Sequence, residues 1–310
     1  MASSLPRIAL AGATGNLGQP ILAALLEANY PVTVLSRIGG NSSKLSAHPT
    51  LTIKQVDFTS VPSMTDALHD AKNPVEIVIS CLATHAIGAQ NPLIDAAVAV
   101  DVKRFIPAEF GMDSMNELSR ALPVCAPKAA TQAYLHQKSQ ANPEFSWTGI
   151  ANGLFLDWCL EAGIILDVKR RAATLYNGGD VRFSATLLRD VARAVLGVIE
   201  KRCLEGIRNR IVYVHSKAVS QDQLIRYAME KDKREWDVVV KSTEEVRKES
   251  LDELSKGDKA DVDGAMLGFC IVGSWDPEYG CDFSGRLDNG LLGVKELSEG
   301  DLRRVMEELL

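Results

Sequence analysis

The feature that most constrains this chain is an alternation running through its first 150 residues, in which each short aliphatic or β-branched run is followed by a stretch with helical period. The runs are 7–12 (RIALAG), 32–37 (VTVLSR), 51–57 (LTIKQVD), 75–81 (VEIVISC), 103–108 (KRFIPA) and 145–151 (FSWTGIA). Several are nearly continuous in apolar residues, as strands covered on both faces must be. Between them, Leu17, Ile21, Leu22, Leu25 and Leu26 share one helical face, and residues 92–100 form another helix. Repeated strand–helix units imply right-handed crossovers and an open parallel sheet. The fold class is α/β, a doubly wound (Rossmann) sheet with a smaller, interleaved C-terminal α+β domain.

From about residue 152 the regularity weakens. Residues 181–201 read as a strand running into a long helix, 210–214 as a strand returning to the sheet, and 242–256 as a charged helix. Residues 268–293, rich in glycine and aromatics without a clear period, read as loops and short helices. The expected division is a dinucleotide-binding domain over 1–152, with return elements near 181–215, and a substrate domain made mainly of 153–310.

Composition narrows the function classes. A chain of 310 residues with 46% hydrophobic content can bury a large core, and 34 basic against 40 acidic residues leave a net charge of −6. With no block of like charge there is no nucleic-acid arm, and the expected partner is a small-molecule substrate. No apolar stretch approaches the roughly 20 residues that span a bilayer, and the N-terminus lacks the long apolar region of a secretory signal. The expectation is a cytoplasmic protein, monomeric or homodimeric, without membrane association. Six cysteines and five histidines are scattered with no CxxC pair or ligand cluster, so no metal site is expected.

AGATGNLG, residues 11–18, follows the first strand and leads into the first helix. There Gly12 permits the sharp turn, Gly15 lets the backbone approach a pyrophosphate, and Gly18 lets helix and strand pack closely. A helix N-terminus at the carboxyl edge of a parallel sheet offers free N–H groups to a phosphate. Thr14, Asn16 and Leu17 border the same place. A carboxylate at the end of the second strand would accept the ribose 2′-hydroxyl of NAD, but this chain has Ser36 and Arg37 there, with Lys44 following. A guanidinium binds a 2′-phosphate bidentately, so the expected cofactor is NADP(H). Asp57 and Phe58, after the third strand, are placed to border the adenine. Leu82, Ala83 and Thr84, after the fourth, are placed to cover the adjacent ribose.

Two lysines compete for the chemistry. Tyr134 and Lys138 form a YxxxK match, the pair that short-chain dehydrogenases use, while Lys128 lies ten residues earlier. A helix after a parallel strand starts at the carboxyl edge and runs away from it, so Lys138 stands about 15 Å further along the axis. Lys128 is therefore the better candidate, an ammonium able to donate a proton to a substrate oxygen or to anchor the ribose and a developing oxyanion.

Gly12 to Gly18, Arg37, the segment RFIPAEFG over 104–111, Lys128 and Asn152 to Phe155 together resemble the NmrA-like, isoflavone-reductase-like branch of atypical short-chain dehydrogenases. The likeness runs from residue 7 to about 200, and LDNGLLG over 287–293 agrees with it. That resemblance implies an NADPH-binding domain, a small substrate domain with a cleft between them, and a reductase of aromatic or polycyclic natural products. It makes Lys128 catalytic and adds Asn152 to the cofactor set. Where the plant motif has phenylalanine three residues before the lysine, this chain has Cys125. Phe110, Phe155, Trp158, Trp275, Tyr279 and Phe283 are the aromatic candidates for a substrate wall. Two other readings stay open at this stage: a dinucleotide-binding redox sensor without catalysis, and a non-redox isomerase or cyclase that uses bound NADP.

Overall fold

The computed structural model describes residues 5–310, the side chains of Thr84 and His85 excepted. Its strands are β1 (Arg7–Ala11), β2 (Val32–Arg37), β3 (Leu51–Val56), β4 (Val75–Ser80), β5 (Arg104–Ile106), β6 (Ser146–Ala151), β7 (Leu154–Phe155), β8 (Ala172–Tyr176), β9 (Phe183–Thr186), β10 (Arg210–Tyr213), β11 (Lys217–Val219) and β12 (Asp237–Lys241). The helices of the first half are α1 (Gly18–Glu27), α2 (Val61–Leu68), α3 (Asn91–Ala99), α4 (Glu117–Ala121), α5 (Ala126–Ala141) and α6 (Leu156–Glu161). Those of the second are α7 (Leu188–Glu200), α8 (Gln221–Asp232), α9 (Thr243–Leu254), α10 (Val262–Trp275), α11 (Asn289–Leu292) and α12 (Glu299–Glu307).

The chain divides into two compact units. Unit 1 takes Met1–Glu109, Pro127–Ile150 and Ala192–Val212, and unit 2 takes Phe110–Ala126, Ala151–Val191 and Tyr213–Leu310. The chain thus crosses between the two units several times.

A seven-stranded parallel sheet in the order β10-β6-β5-β4-β1-β2-β3 carries unit 1. β1 lies between β2 and β4, with Leu10 opposite both Val34 and Ile79. Helices cover both faces, so Ile8, Leu10, Val34, Ile77, Ile79 and Phe105 are fully buried, which explains the continuous apolar runs. The edge strand β3 is less apolar and mostly exposed. β2 and β3 lie to one side of β1 and β4, β5, β6 and β10 to the other, so the winding reverses between β1 and β4. Ligands of open α/β sheets bind outside the carboxyl ends of the strands at such a reversal.

Arg104 on β5 is fully buried, and among the described residues it makes no ion pair. Its guanidinium donates to Thr148 Oγ1 (2.5 Å) and to the carbonyls of Ile207 (3.3 Å) and Arg202 (2.6 Å). Burial lowers its pKa to about 10, with Arg208 adding to the effect, yet it stays charged at neutral pH. This side chain ties β5, β6 and the segment leading into β10 into one sheet edge.

Unit 2 holds a three-stranded sheet, β11-β9-β7, and a two-stranded one, β12-β8. β9 therefore belongs to unit 2, while most of α7 and β10 return to unit 1. Residues 268–275, expected among loops and short helices, complete the fourteen-residue helix α10. The reason is close packing: a Cβ on Gly268 would stand 2.0 Å from Ser250 Oγ of α9, and one on Gly273 would stand 2.3 Å from Met112 Sδ. These glycines admit neighbours and do not break the helix.

The C-terminal segment is held to unit 2 through His215. Its N–H donates to Asn289 Oδ1 (3.1 Å), and Asn289 Nδ2 donates back to its carbonyl (2.8 Å). Its ring is hydrogen-bonded to Ser184 Oγ (2.8 Å) and lies 3.4 Å from Glu296. Burial lowers the His215 pKa below 6.5, against the opposing pull of Glu296. Because the unfolded chain then binds the proton more readily, stability is full above about pH 6.5 and falls as pH drops below it. Urea midpoints should therefore decrease between pH 7.5 and 5.5 in the native protein, and His215→Gln should flatten that decrease; an unchanged slope would remove His215 as its source.

Candidate functional site

The site is built from the backbone. Gly12 has φ +81°, and a Cβ there would stand 2.2 Å from the Cys81 carbonyl oxygen, so only glycine lets the turn pass the end of β4. Cys81 N–H donates to Ala11 O (2.9 Å), locking the two strand ends together. A Cβ on Gly18 would lie 2.0 Å from the Gly12 carbonyl oxygen, which places the start of α1 directly on the turn. Gly15 N–H donates to Gly12 O (3.1 Å) and closes the loop. At α1 the N-cap residue Leu17 makes no side-chain cap and the first turn carries no acidic residue. Gln19 N–H donates to Gly15 O (3.0 Å), Ile21 N–H to Leu17 O (3.4 Å) and Pro20 has no N–H, so what this helix end presents is chiefly the positive end of its dipole.

Beside this turn lies a cavity of about 280 Å³, entirely within unit 1. Of the residues singled out from the sequence, Gly12, Thr14, Gly15, Ser36, Arg37, Phe58, Leu82 and Ala83 line it. Arg37 ends β2 and is exposed, with no ion pair among the described residues. Gly40 and Asn41 also line the wall, unforeseen in the sequence. Gly39 (φ +71°) turns the chain there, and Gly40 N–H donates to Arg37 O (2.8 Å). The GGN that follows Arg37 was the signal for this turn.

Other expected residues do not line the cavity. Asn16 is exposed, Leu17 is half-buried, and Gly18 packs against backbone. Lys44 is exposed on a short 3-10 turn (Ser42–Lys44). Asp57 points to its own turn: its carboxylate accepts from Thr59 N–H (2.9 Å) and Thr59 Oγ1 (2.7 Å), and these bonds hold its pKa below the usual value. Asn152 belongs to unit 2, where it is fully buried with Nδ2 donating to Gly153 O (3.0 Å). Thr84 falls outside the residues whose side chains are described, as does His85.

Lys128 is the third residue of α5 and is 7% exposed. Its Nζ donates to the Glu109 carbonyl, and one turn later Gln132 Nε2 donates to Glu109 Oε1 (2.9 Å). A Cβ on Gly88 would stand 3.7 Å from Pro127 Cβ, so the start of α5 lies beside the 86–89 segment, two of whose residues line the cavity. Lys138 stands elsewhere. It pairs with Asp95 of α3 (2.6 Å), Tyr134 donates to the same carboxylate (2.6 Å), and the Asp95 bond raises the pKa of Lys138.

The aromatic candidates all belong to unit 2. Trp275 and Phe283 have no exposed surface and so are core residues, not the wall of an open pocket. Trp275 packs on Tyr176 and Phe183, both 5.1 Å away, and Phe283 lies 5.2 Å from Tyr213. Tyr279 is 8% exposed, while Phe110 and Phe155 are half-buried. Trp158 lines a hollow of about 460 Å³ with Glu161, Lys169 and Glu308. Among the described residues, no group of three or more His, Cys, Asp or Glu side chains could hold a metal ion, and no helix is long and apolar enough to cross a membrane.

Comparison with known proteins gives three findings. The model of the NmrA-like family matches residues 5–174. Oxidoreductase aprR of Aspergillus flavus is 33% identical over 279 residues, covering 88% of this chain and 90% of its own length. Oxidoreductase poxI of Penicillium oxalicum is 29% identical over 308 residues, covering 97% and 94%. Among solved structures, leucoanthocyanidin reductase of Vitis vinifera in binary complex with NADPH superposes with a TM-score of 0.73 at 18% identity, over 98% of this chain and 99% of that one. This last likeness is one of fold.

The turn geometry carries a stability prediction. Gly18→Ala forces a Cβ against backbone that has no flexible end to move, and should cost about 2 kcal/mol or more in a denaturant titration. Gly285→Ala, where nothing lies within 4 Å, should change stability by less than about 0.5 kcal/mol. Equal losses at the two positions would contradict the packing described.

Proposed function

The chain belongs to the NmrA-like family, and from that premise we propose that it is an NADPH-dependent oxidoreductase, a reductase of an aromatic or polycyclic small molecule in secondary metabolism. The observation that carries the reading is Lys128, a buried ammonium in the first turn of α5, beside the segment that walls the cavity. The two fungal relatives, both named oxidoreductases and matched over most of this chain, support it.

The residues present fit the cofactor. The turn from Gly12 to Gly18 is a cradle that side chains would fill, and the start of α1 presents the positive end of the helix dipole to a pyrophosphate. Ser36 and Arg37 take the 2′-phosphate, with Lys44 on the turn that follows. Phe58, Leu82 and Ala83 flank the adenine and ribose. Bound NADPH supplies a hydride for a conjugated or benzylic carbon, a carbonyl or an imine.

Lys128 does the protein's share of the chemistry. Its bond to the Glu109 carbonyl uses one of three N–H donors and fixes the direction of the other two. In a buried setting such a preorganised cation stabilises negative charge developing on a substrate oxygen, and it can pass that oxygen a proton. A sensor that binds dinucleotides without reducing anything has no use for this group.

Two measurements test the assignment. Arg37→Ala should weaken NADPH binding by about tenfold to a hundredfold and leave NADH binding unchanged, since only the charged hydrogen bonds to the 2′-phosphate are lost. Lys128→Ala should keep NADPH affinity within about threefold while lowering the turnover of an aromatic acceptor by about 10²–10⁴-fold. Full turnover in that variant would remove the proposed role.

A further inference from the structure

β12 is an edge strand with an apolar, exposed middle. Val238, Val239 and Val240 are 42%, 59% and 64% exposed, and the strand pairs only with β8. The pairing is parallel, with Asp237 opposite Ala172 and Lys241 opposite Tyr176. At its two ends Asp237 N–H donates to Arg171 O (2.9 Å) and Asn177 N–H donates to Lys241 O (3.0 Å). Bonding residues alternate along such a ladder, so Asp237, Val239 and Lys241 direct their backbone groups to β8. Val238 and Val240 direct theirs to the open edge.

The far edge of β8 is already occupied. Ala172 exchanges two hydrogen bonds with Asp167 (2.9 and 3.1 Å), Thr174 O accepts from Gln221 Nε2 (2.8 Å), and Tyr176 N–H donates to Gln221 Oε1 (2.9 Å). The small sheet therefore has one edge left to extend, and this edge lacks the central charge or proline with which edges are ordinarily blunted.

We propose that β12 pairs antiparallel with β12 of a second copy of this chain, forming a homodimer about a two-fold axis at Val239. Two independent features select the same register. The free backbone groups sit at 238 and 240, so hydrogen-bonded pairs form when Val238 faces Val240 of the second copy, giving four bonds in all. That register places Asp237 opposite Lys241 of the second copy, and Lys241 opposite its Asp237, one ion pair at each end. A shift of two residues in either direction keeps the hydrogen-bonding phase but parts Asp237 from Lys241, and the one direction that offers Lys241 a carboxylate, Glu235, draws it from outside β12. The sequence DVVVK is thus complementary to itself only when centred on Val239. A two-fold contact of this kind uses both open edges and closes at two copies.

The assignment rests on backbone phase and charge and does not depend on the proposed activity. It is tested by sedimentation velocity over a concentration series. The native protein should pass from monomer to dimer with rising concentration and form nothing larger. Val240→Pro removes an N–H that makes no bond within the chain. It should leave the circular dichroism and urea midpoint unchanged and weaken dimerisation by about tenfold or more. Asp237→Lys sets cation against cation at both ends of the contact, and Lys241→Glu sets anion against anion; each alone should remain monomeric. Lys241 also pairs with Glu249 (2.5 Å) in its own chain, an exposed contact whose loss is small. When the two charge variants are mixed, opposite charges face each other at both ends, and a heterodimer should form. A native protein that stays monomeric, a dimer indifferent to Val240→Pro, assemblies larger than two, or a mixture no more associated than its components would each overturn the proposal.

Discussion

The structure depends on the contact between three pieces of backbone: the turn at Gly12, the end of β4 at Cys81, and the first residue of α1 at Gly18. Any side chain at Gly12 or Gly18 would overlap a carbonyl oxygen. The close approach sets the start of α1 against the strand end, at the point where the sheet reverses its winding. The residues lining the cavity come from the end of β2 and from the segments that follow β1, β2, β3 and β4, so their convergence is a property of the parallel sheet. Chemistry of the side chains then decides what the cavity accepts.

Three buried or half-buried cations in unit 1 differ in the partners that hold them. Arg104 is surrounded by neutral oxygens in fixed positions and serves as a tie between strands. Lys138 is held by Asp95, which raises its pKa and keeps it charged, so the YxxxK pair acts as a link between α3 and α5. Lys128 has only a carbonyl partner among the described residues. A neutral acceptor orients an ammonium without neutralising it, which leaves its field directed outward. That difference, not sequence pattern, separates the two lysines of α5.

Strands β1 to β6, α1, α3 and the return of β10 were legible because fully buried parallel strands leave continuous apolar runs and helices leave a periodic face. The glycine loop and Arg37 were legible because backbone geometry and strand position restrict what can stand there. Helix α10 was not: glycine reads as a breaker when its partner is unknown, and here Gly268 and Gly273 receive Ser250 and Met112. Asp57 was placed by position at a strand end, but its neighbour Thr59 takes the carboxylate, a local competition that strand register cannot show. That Trp275 and Phe283 are core was not legible because burial depends on partners distant in sequence. Trp275 meets Tyr176 and Phe183 in the core.

The central claim is that the cavity beside Gly12 and Arg37 takes a phosphorylated nicotinamide dinucleotide. Calorimetric titration of the purified protein with NADPH, NADP⁺, NADH and NAD⁺ at one ionic strength tests it directly. The account predicts that both phosphorylated forms bind at least about tenfold more tightly than their counterparts, a difference of about 1.4 kcal/mol. Equal affinity for NAD⁺ and NADP⁺, with weak binding of both reduced forms, would contradict it.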